Sequence, residues 1–268
     1  MVEELVSQAF WVGLMKIIGV NIVLSGDNAV VIALAARSLQ PHQQKAAIMW
    51  GSGAAIVMRI VLTIFAVALL GLPWLKLIGS LLLFWIGVQL LAPDDGDPDI
   101  KASDNLVAAI KTILIADLVM SLDNVIAVAA AANNSMTLLI LGLGISIPLV
   151  IFGATMLLKL MERFPIIITI GGALIGMVAG EMLVSDKVLI GEGTRSFDAL
   201  LAGTFSLRDL LVNAGVTFDA AGKPRVFGGL SLELICGGLG ALGTILMGKW
   251  LTARQASRED EAEHSATH

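Results

Sequence analysis

Tyrosine is absent from the 268 residues, cysteine occurs once, at Cys236, and acidic and basic residues together make up only 15%. Each shortage closes off a class of protein. With one cysteine, no internal disulfide and no thiolate metal cluster can form. With so little charge, beside 57% hydrophobic residues and a mean hydropathy of +0.89, the chain falls well below the roughly one-quarter charged content of soluble domains and belongs in a lipid bilayer. No long basic run points to nucleic acid. The net charge of -5 gathers mostly at 94–99 and 259–263, which read as solvated ends. A positive leader is missing too. Val2-Glu3-Glu4 precede the first apolar stretch, which therefore reads as a retained span rather than a cleaved signal peptide.

A hydrocarbon core about 30 Å thick needs roughly 20 apolar residues at about 1.5 Å rise each. Seven stretches approach that length, near 9–36, 46–70, 73–91, 106–132, 137–160, 165–184 and 229–249. The sequence thus predicts an all-α, polytopic membrane protein with seven transmembrane helices in one domain, residues 1–250, followed by a polar tail, 251–268. Cytoplasmic loops carry the excess of Lys and Arg. One side collects Arg37, Lys45, Lys101, Lys111, Lys159, Arg163, Lys249, Arg254 and Arg258, whereas the short loops of the other hold Lys76. This places the N-terminus outside, the C-terminus and tail in the cytoplasm, and the long loop 185–228 on the outer face of a bacterial inner membrane. Phe197, Leu200, Leu201, Phe205, Leu210 and Leu211 in that loop fit either a surface amphipathic helix or a loose connector.

The chain repeats itself. A shift of 96 sets Asn21, Ser25, Asp27 and Asn28 onto Asp117, Ser121, Asp123 and Asn124. Shifts of 91 or 92 then match Gly51 and Gly53 with Gly142 and Gly144, Pro73 with Pro165, Ile78-Gly79 with Ile170-Gly171, and Gln89 with Glu181. Each copy holds three spans, 9–91 and 106–184, and three is odd, so the second copy enters the membrane from the opposite side. The expectation is a 3+3 inverted repeat plus one extra helix, 229–249. Secondary transporters recurrently have this build, with the substrate near the midplane where the copies meet. Duplicated scaffolds that move nothing share it.

Ionisable residues within spans are costly, by roughly 2.5–3.5 kcal/mol on insertion scales, and so mark candidate sites. Asp27, Asp117, Asp123, Arg59 and Glu181 stand out here. At 100° per residue, Asn21, Ser25 and Asn28 share one helical face, as do Asp117, Ser121 and Asn124. Asp27 and Asp123 lie off those stripes, so a straight helix does not aim every group at one ion. Gly26 offers a place for local unwinding; Leu122 stands there in the second copy. Carboxylate, amide and hydroxyl oxygens are hard donors that suit Mg, Ca or Mn rather than copper or zinc. The candidate metal ligands are Asp27, Asn28, Asp117, Asp123, Asn124 and Asn21, with Ser25, Ser121, Arg59, Glu181 and Gln89 in support. The competing reading is a structural network in which Asp27 and Asp123 hold Arg59 and bind no ion. Arg59, whose counterpart is Val150, needs a carboxylate or a water cavity in either case. The glycines at 51, 53, 79, 142, 144, 171, 172, 176 and 180 follow small-residue packing patterns and read as helix contacts.

The stretches Leu24-Ser-Gly-Asp-Asn-Ala-Val-Val-Ile-Ala-Leu-Ala and Asp117-Leu-Val-Met-Ser-Leu-Asp-Asn-Val resemble the TerC family, in its short seven-span YjbE-like branch, over about residues 9–250. The resemblance implies a bacterial manganese exporter from a family also linked to tellurium resistance and to metal supply for exported enzymes. It carries the family's acidic positions onto Asp27, Asp117 and Asp123, with Asn28 and Asn124 beside them. Asn21 opposite Asp117 leaves the ligand set asymmetric. The functional expectation is export of a divalent metal, Mn²⁺ above all, as substrate rather than as a bound cofactor, with protons as candidate counter-ions. A membrane scaffold or metal-delivery factor for exported proteins is the alternative. An intramembrane aspartyl protease is remote, because the chain lacks tyrosine and any Gly-x-Gly-Asp. Sequence does not fix the oligomeric state.

Overall fold

The structure is a computed structural model that describes residues 8–24, 26–65, 74–92, 102–132, 136–186, 215–218, 224–226 and 230–266. Its helices in chain order are α1 (Gln8–Leu24), α2 (Gly26–Ala36), α3 (Pro41–Ile64), α4 (Leu75–Leu91), α5 (Ala102–Ala132), α6 (Met136–Arg163) and α7 (Ile166–Val184). Three short strands follow, β1 (Thr217–Phe218), β2 (Pro224–Val226) and β3 (Leu230–Ser231), and then α8 (Leu232–Ala266).

Among the described residues, five helical stretches are long and apolar enough to cross a membrane: Pro41–Ile64, Asn105–Leu122, Ile140–Arg163, Ile166–Val184 and Leu232–Gln255. The expected first span falls on α1 and α2, which flank Ser25, a residue outside the described set; the unwinding expected beside Gly26 falls there too. The expected third span is α4, an apolar helix of 17 residues. Among the described residues, the long apolar runs are helical, as a bilayer demands of segments that must satisfy their own backbone. The helix considered for 197–211 lies outside the described residues. Farther along the same loop, β1, β2 and β3 form an antiparallel sheet in that order, pairing Thr217 with Arg225 and Val226 with Leu230.

Local chemistry sets the helix ends. Pro41 opens α3 at a position whose missing N–H is unneeded, behind an extended Gln40. Trp74, at φ 68, takes a left-handed conformation uncommon for a bulky residue just before α4. The N–H of Leu77 in the first turn of α4 then donates to Oδ2 of the buried Asp186 at 3.1 Å, so a carboxylate more than 100 residues away closes that end. Within α6, Pro148 offers no N–H to the Gly144 carbonyl.

The chain divides into two compact units, Met1–Gly71 with Asp95–Gly171, and Leu72–Asp94 with Gly172–His268. In the first, α3 lies along α5, while α1 and α2 pack on α5 and α6. Phe10, Leu14 and Ile17 present one face of α1, at i, i+4 and i+7, to Ile56 of α3 and Leu143 of α6. Glycines let these helices close up: a Cβ at Gly142 would strike Ile17, and one at Gly51 would come within 2.8 Å of Ile113 Cδ1.

In the second unit the approach is closer still. A Cβ on Gly180 would run into the Cys236 carbonyl, and one on Gly240 into the Gly176 carbonyl, so α7 and α8 meet backbone to backbone. Leu91 of α4 fills the space beside Gly172 and Gly248. Not every expected glycine contact is made: Gly53 and Gly144 have nothing within 4 Å of where a Cβ would stand.

Candidate functional site

The site grows from the α3–α5 contact in the first unit. Gly51 lets α3 settle onto Ile113 of α5, and two turns farther along α3 Arg59 comes alongside Asp117 and Ser121, which share a face of α5 at i and i+4. Arg59 Nη2 donates to Asp117 Oδ1 at 2.5 Å, and Arg59 Nε donates to Ser121 Oγ at 3.0 Å. Ser121 Oγ in turn donates to Asp117 Oδ2 at 3.2 Å. The three bonds close a ring. Its members are 5%, 7% and 0% exposed for Arg59, Asp117 and Ser121, so water contributes little to their solvation. In such surroundings each charge depends on the other: removing one partner of a buried pair costs about 3–5 kcal/mol because the survivor is left uncompensated.

Asp27 stands beside this ring. It sits half-buried in the first turn of α2, where its Oδ1 accepts the N–H of Asn28 at 2.9 Å. Among the described residues, Arg59 and Asp117 are charged side chains that act on it electrostatically. Asn28 is buried and Asn124, one turn beyond Ser121 on α5, is half-buried. The structure therefore joins Asp117, Arg59 and Ser121 by hydrogen bonds and leaves Asp27 within electrostatic reach of Arg59 and Asp117. The expected structural network had Asp27 and Asp123 holding the guanidinium; among the described residues it is Asp117 that pairs with it. The side chains of Asn21 and Asp123, and all of Ser25, lie outside the described residues. Among the described residues no three His, Cys, Asp or Glu side chains gather closely enough to hold a metal ion; the donors present are two carboxylates with amide and hydroxyl oxygens around them.

Gln89 and Glu181 belong to the second unit. Gln89 is exposed on α4, and Glu181 is half-buried on α7 with its side chain lying over Gly237 of α8.

Asp186 and Ser52 are among the buried polar residues that escaped the sequence reading. Asp186 was hidden at the margin of a long loop, and only its partner Leu77, far away in sequence, reveals its role. Ser52 is 1% exposed, and its Oγ has no hydrogen-bond partner among the described residues. It stands seven residues before Arg59 on the same face of α3, and that spacing was the signal available. A buried hydroxyl left without a partner is a free oxygen donor on the helix that carries the guanidinium.

Residues 6–217 match the family described as "Integral membrane protein TerC family". The uncharacterized membrane protein YjbE of Bacillus subtilis (strain 168) is 43% identical over 180 residues, covering 67% of this chain and 83% of that one. The uncharacterized membrane proteins YceF and YkoY of the same organism are 26% and 29% identical over 190 and 195 residues, covering 67% and 64% of this chain and 74% and 59% of their own lengths. No solved structure matches the chain.

Proposed function

Because this chain belongs to the integral membrane protein TerC family, we propose that it is a multi-pass transporter that exports a divalent cation, Mn²⁺ first among candidates, from the cytoplasm of a bacterium. The observation that carries the reading is the gathering of Asp27 and Asp117 with Arg59 inside apolar helices, where a charge without a function to perform is costly. The donors around them are oxygens throughout, the ligand type that hard divalent ions prefer. Asp123, the repeat partner of Asp27, supplies the third motif carboxylate, with Asn28 and Asn124 as amide donors.

The seven-span inverted repeat belongs to the same proposal, with the N-terminus outside and the C-terminus in the cytoplasm. It draws support from the division of the chain. The first unit takes the first two expected spans of each copy and the start of the span at 165–184, and the second takes the span at 73–91, the rest of 165–184 and the extra helix. A transporter of two such parts can expose a midplane site alternately to either side, and protons are the natural exchange partner for a cation leaving carboxylates.

The test is reconstitution of the full chain into sealed vesicles holding a manganese-sensitive dye, with and without a pH gradient. Flux should appear with the wild type and vanish in Asp27→Asn and Asp123→Asn variants that insert normally. Full flux in both variants removes these residues from the site. The closed Arg59–Asp117–Ser121 ring also suits a membrane scaffold or metal-delivery factor held together by a buried ion pair. No flux from correctly inserted wild-type protein, in either direction, favours that second reading.

A further inference from the structure

Two of the positions at which the halves of the repeat differ in charge involve residues buried in the first unit, Arg59 and Asp117. The second copy has Asp117 where the first has Asn21, an extra negative charge; the first has Arg59 where the second has Val150, an extra positive charge. In the folded chain these two departures touch, as the ends of the one ion pair that closes the buried ring. These two asymmetries cancel each other, while Asp27 and Asp123 are common to both copies.

We propose that Arg59 is a tethered counter-cation that occupies Asp117 in the metal-free protein and that the transported divalent ion must displace. The inference rests on the transport reading above. An arginine suits the task because its guanidinium stays charged at every physiological pH and cannot leave. When no metal is bound, it keeps Asp117 from standing as a lone charge in an apolar environment, which is the condition a carrier meets on every empty return. When metal arrives, the guanidinium competes with it for the same oxygens. The apparent affinity for metal is then reduced by the fraction of time in which Asp117 is free of Arg59.

Removing the guanidinium therefore has two effects of opposite sign. In Arg59→Met, Mn²⁺ binds more tightly, by roughly tenfold if Asp117 is free about a tenth of the time in the wild type. Net Mn²⁺ efflux, which includes an empty return, falls by a similar factor because Asp117 is then uncompensated in that step. Exchange of labelled for unlabelled Mn²⁺ across the same vesicles needs no empty return and stays near the wild-type rate.

The experiment measures Mn²⁺ affinity, net efflux and exchange for the full chain in proteoliposomes. Tighter binding together with net efflux lost and exchange kept supports the inference. Unchanged affinity, or equal loss of net efflux and exchange in folded protein, overturns it and leaves Arg59 as packing. If Arg59→Met does not fold, Arg59→Lys takes its place. Lysine keeps the charge but lacks the fork that reaches Asp117 and Ser121 together, so it is a weaker competitor and Mn²⁺ affinity must still rise; unchanged affinity there overturns the inference equally. Wild-type protein that neither binds nor exchanges Mn²⁺ would overturn the transport reading itself, a separate outcome from any of these.

Discussion

Within each unit the helices meet by a different leading means. In the first, a buried ring of Arg59, Asp117 and Ser121 joins α3 to α5 amid ordinary side-chain packing. In the second, α7 and α8 touch backbone to backbone where Gly180 meets Cys236 and Gly176 meets Gly240, with the Thr244 side chain also against Gly176. A bilayer supplies almost no hydrophobic drive for helices to associate, so they must use either polar bonds or close van der Waals contact. Polar bonds can be exchanged for others when an ion arrives, whereas a backbone contact gives only by separating. The difference teaches where chemistry and where rigidity reside in this chain.

The contrast can be broken hardest at Asp117. Asp117→Ala leaves the guanidinium of Arg59 buried and unpaired, and unfolding measured in micelles should lose about 3–5 kcal/mol. A loss below about 1 kcal/mol would mean that the ring is not holding α3 to α5. Next comes Gly180→Val, which drives a branched side chain into the Cys236 carbonyl; overpacking of this kind costs about 1–3 kcal/mol or more, read as a lower melting temperature without selective loss of metal binding. The double variant Arg59→Met/Asp117→Leu sharpens the comparison. Replacing a buried pair by apolar residues is neutral or stabilising by about 1–4 kcal/mol, so the fold should return while Mn²⁺ transport does not. Recovery of transport would assign the pair to structure alone. The smallest effect is expected at Gly53, where a Cβ meets nothing: Gly53→Ala in the middle of α3 should gain about 0.5–1 kcal/mol from helix propensity, and a loss would reveal a neighbour outside the described residues.

Composition and hydropathy made the helical membrane character legible, because 20-residue apolar runs admit few other structures. The polar face of α5 was legible for the same kind of reason: Asp117 and Ser121 lie four apart, and helix geometry alone puts them together. The partner of Arg59 was not. Which carboxylate it meets depends on how far α3 slides along α5, and that is set by Gly51 against Ile113, a contact no periodicity encodes. The mismatched repeat positions Asn21/Asp117 and Arg59/Val150 held the clue, and it becomes readable only once the two mismatches are considered as one pair. Glycine spacing marked both the tight contacts at Gly142, Gly172, Gly176 and Gly180 and the open positions Gly53 and Gly144 without telling them apart. Strands of two and three residues, as in β1 to β3, are too short to display alternation at all.

The length of α8 has a mechanical side. Its 35 residues make a rod of about 52 Å at 1.5 Å per residue, against a hydrocarbon layer about 30 Å thick. Some 20 Å of continuous helix therefore projects beyond the lipid. Arg254 lies over the Trp250 ring at 5.1 Å, near where the rod leaves the apolar stretch. With its inner part clamped against α7 at Gly240, the helix works as a pointer: a tilt of about 10° at that clamp sweeps the far end, some 26 residues or about 39 Å away, through roughly 7 Å. A spectroscopic label placed near Ala266 would therefore magnify movements of the second unit that are sub-ångström near the clamp.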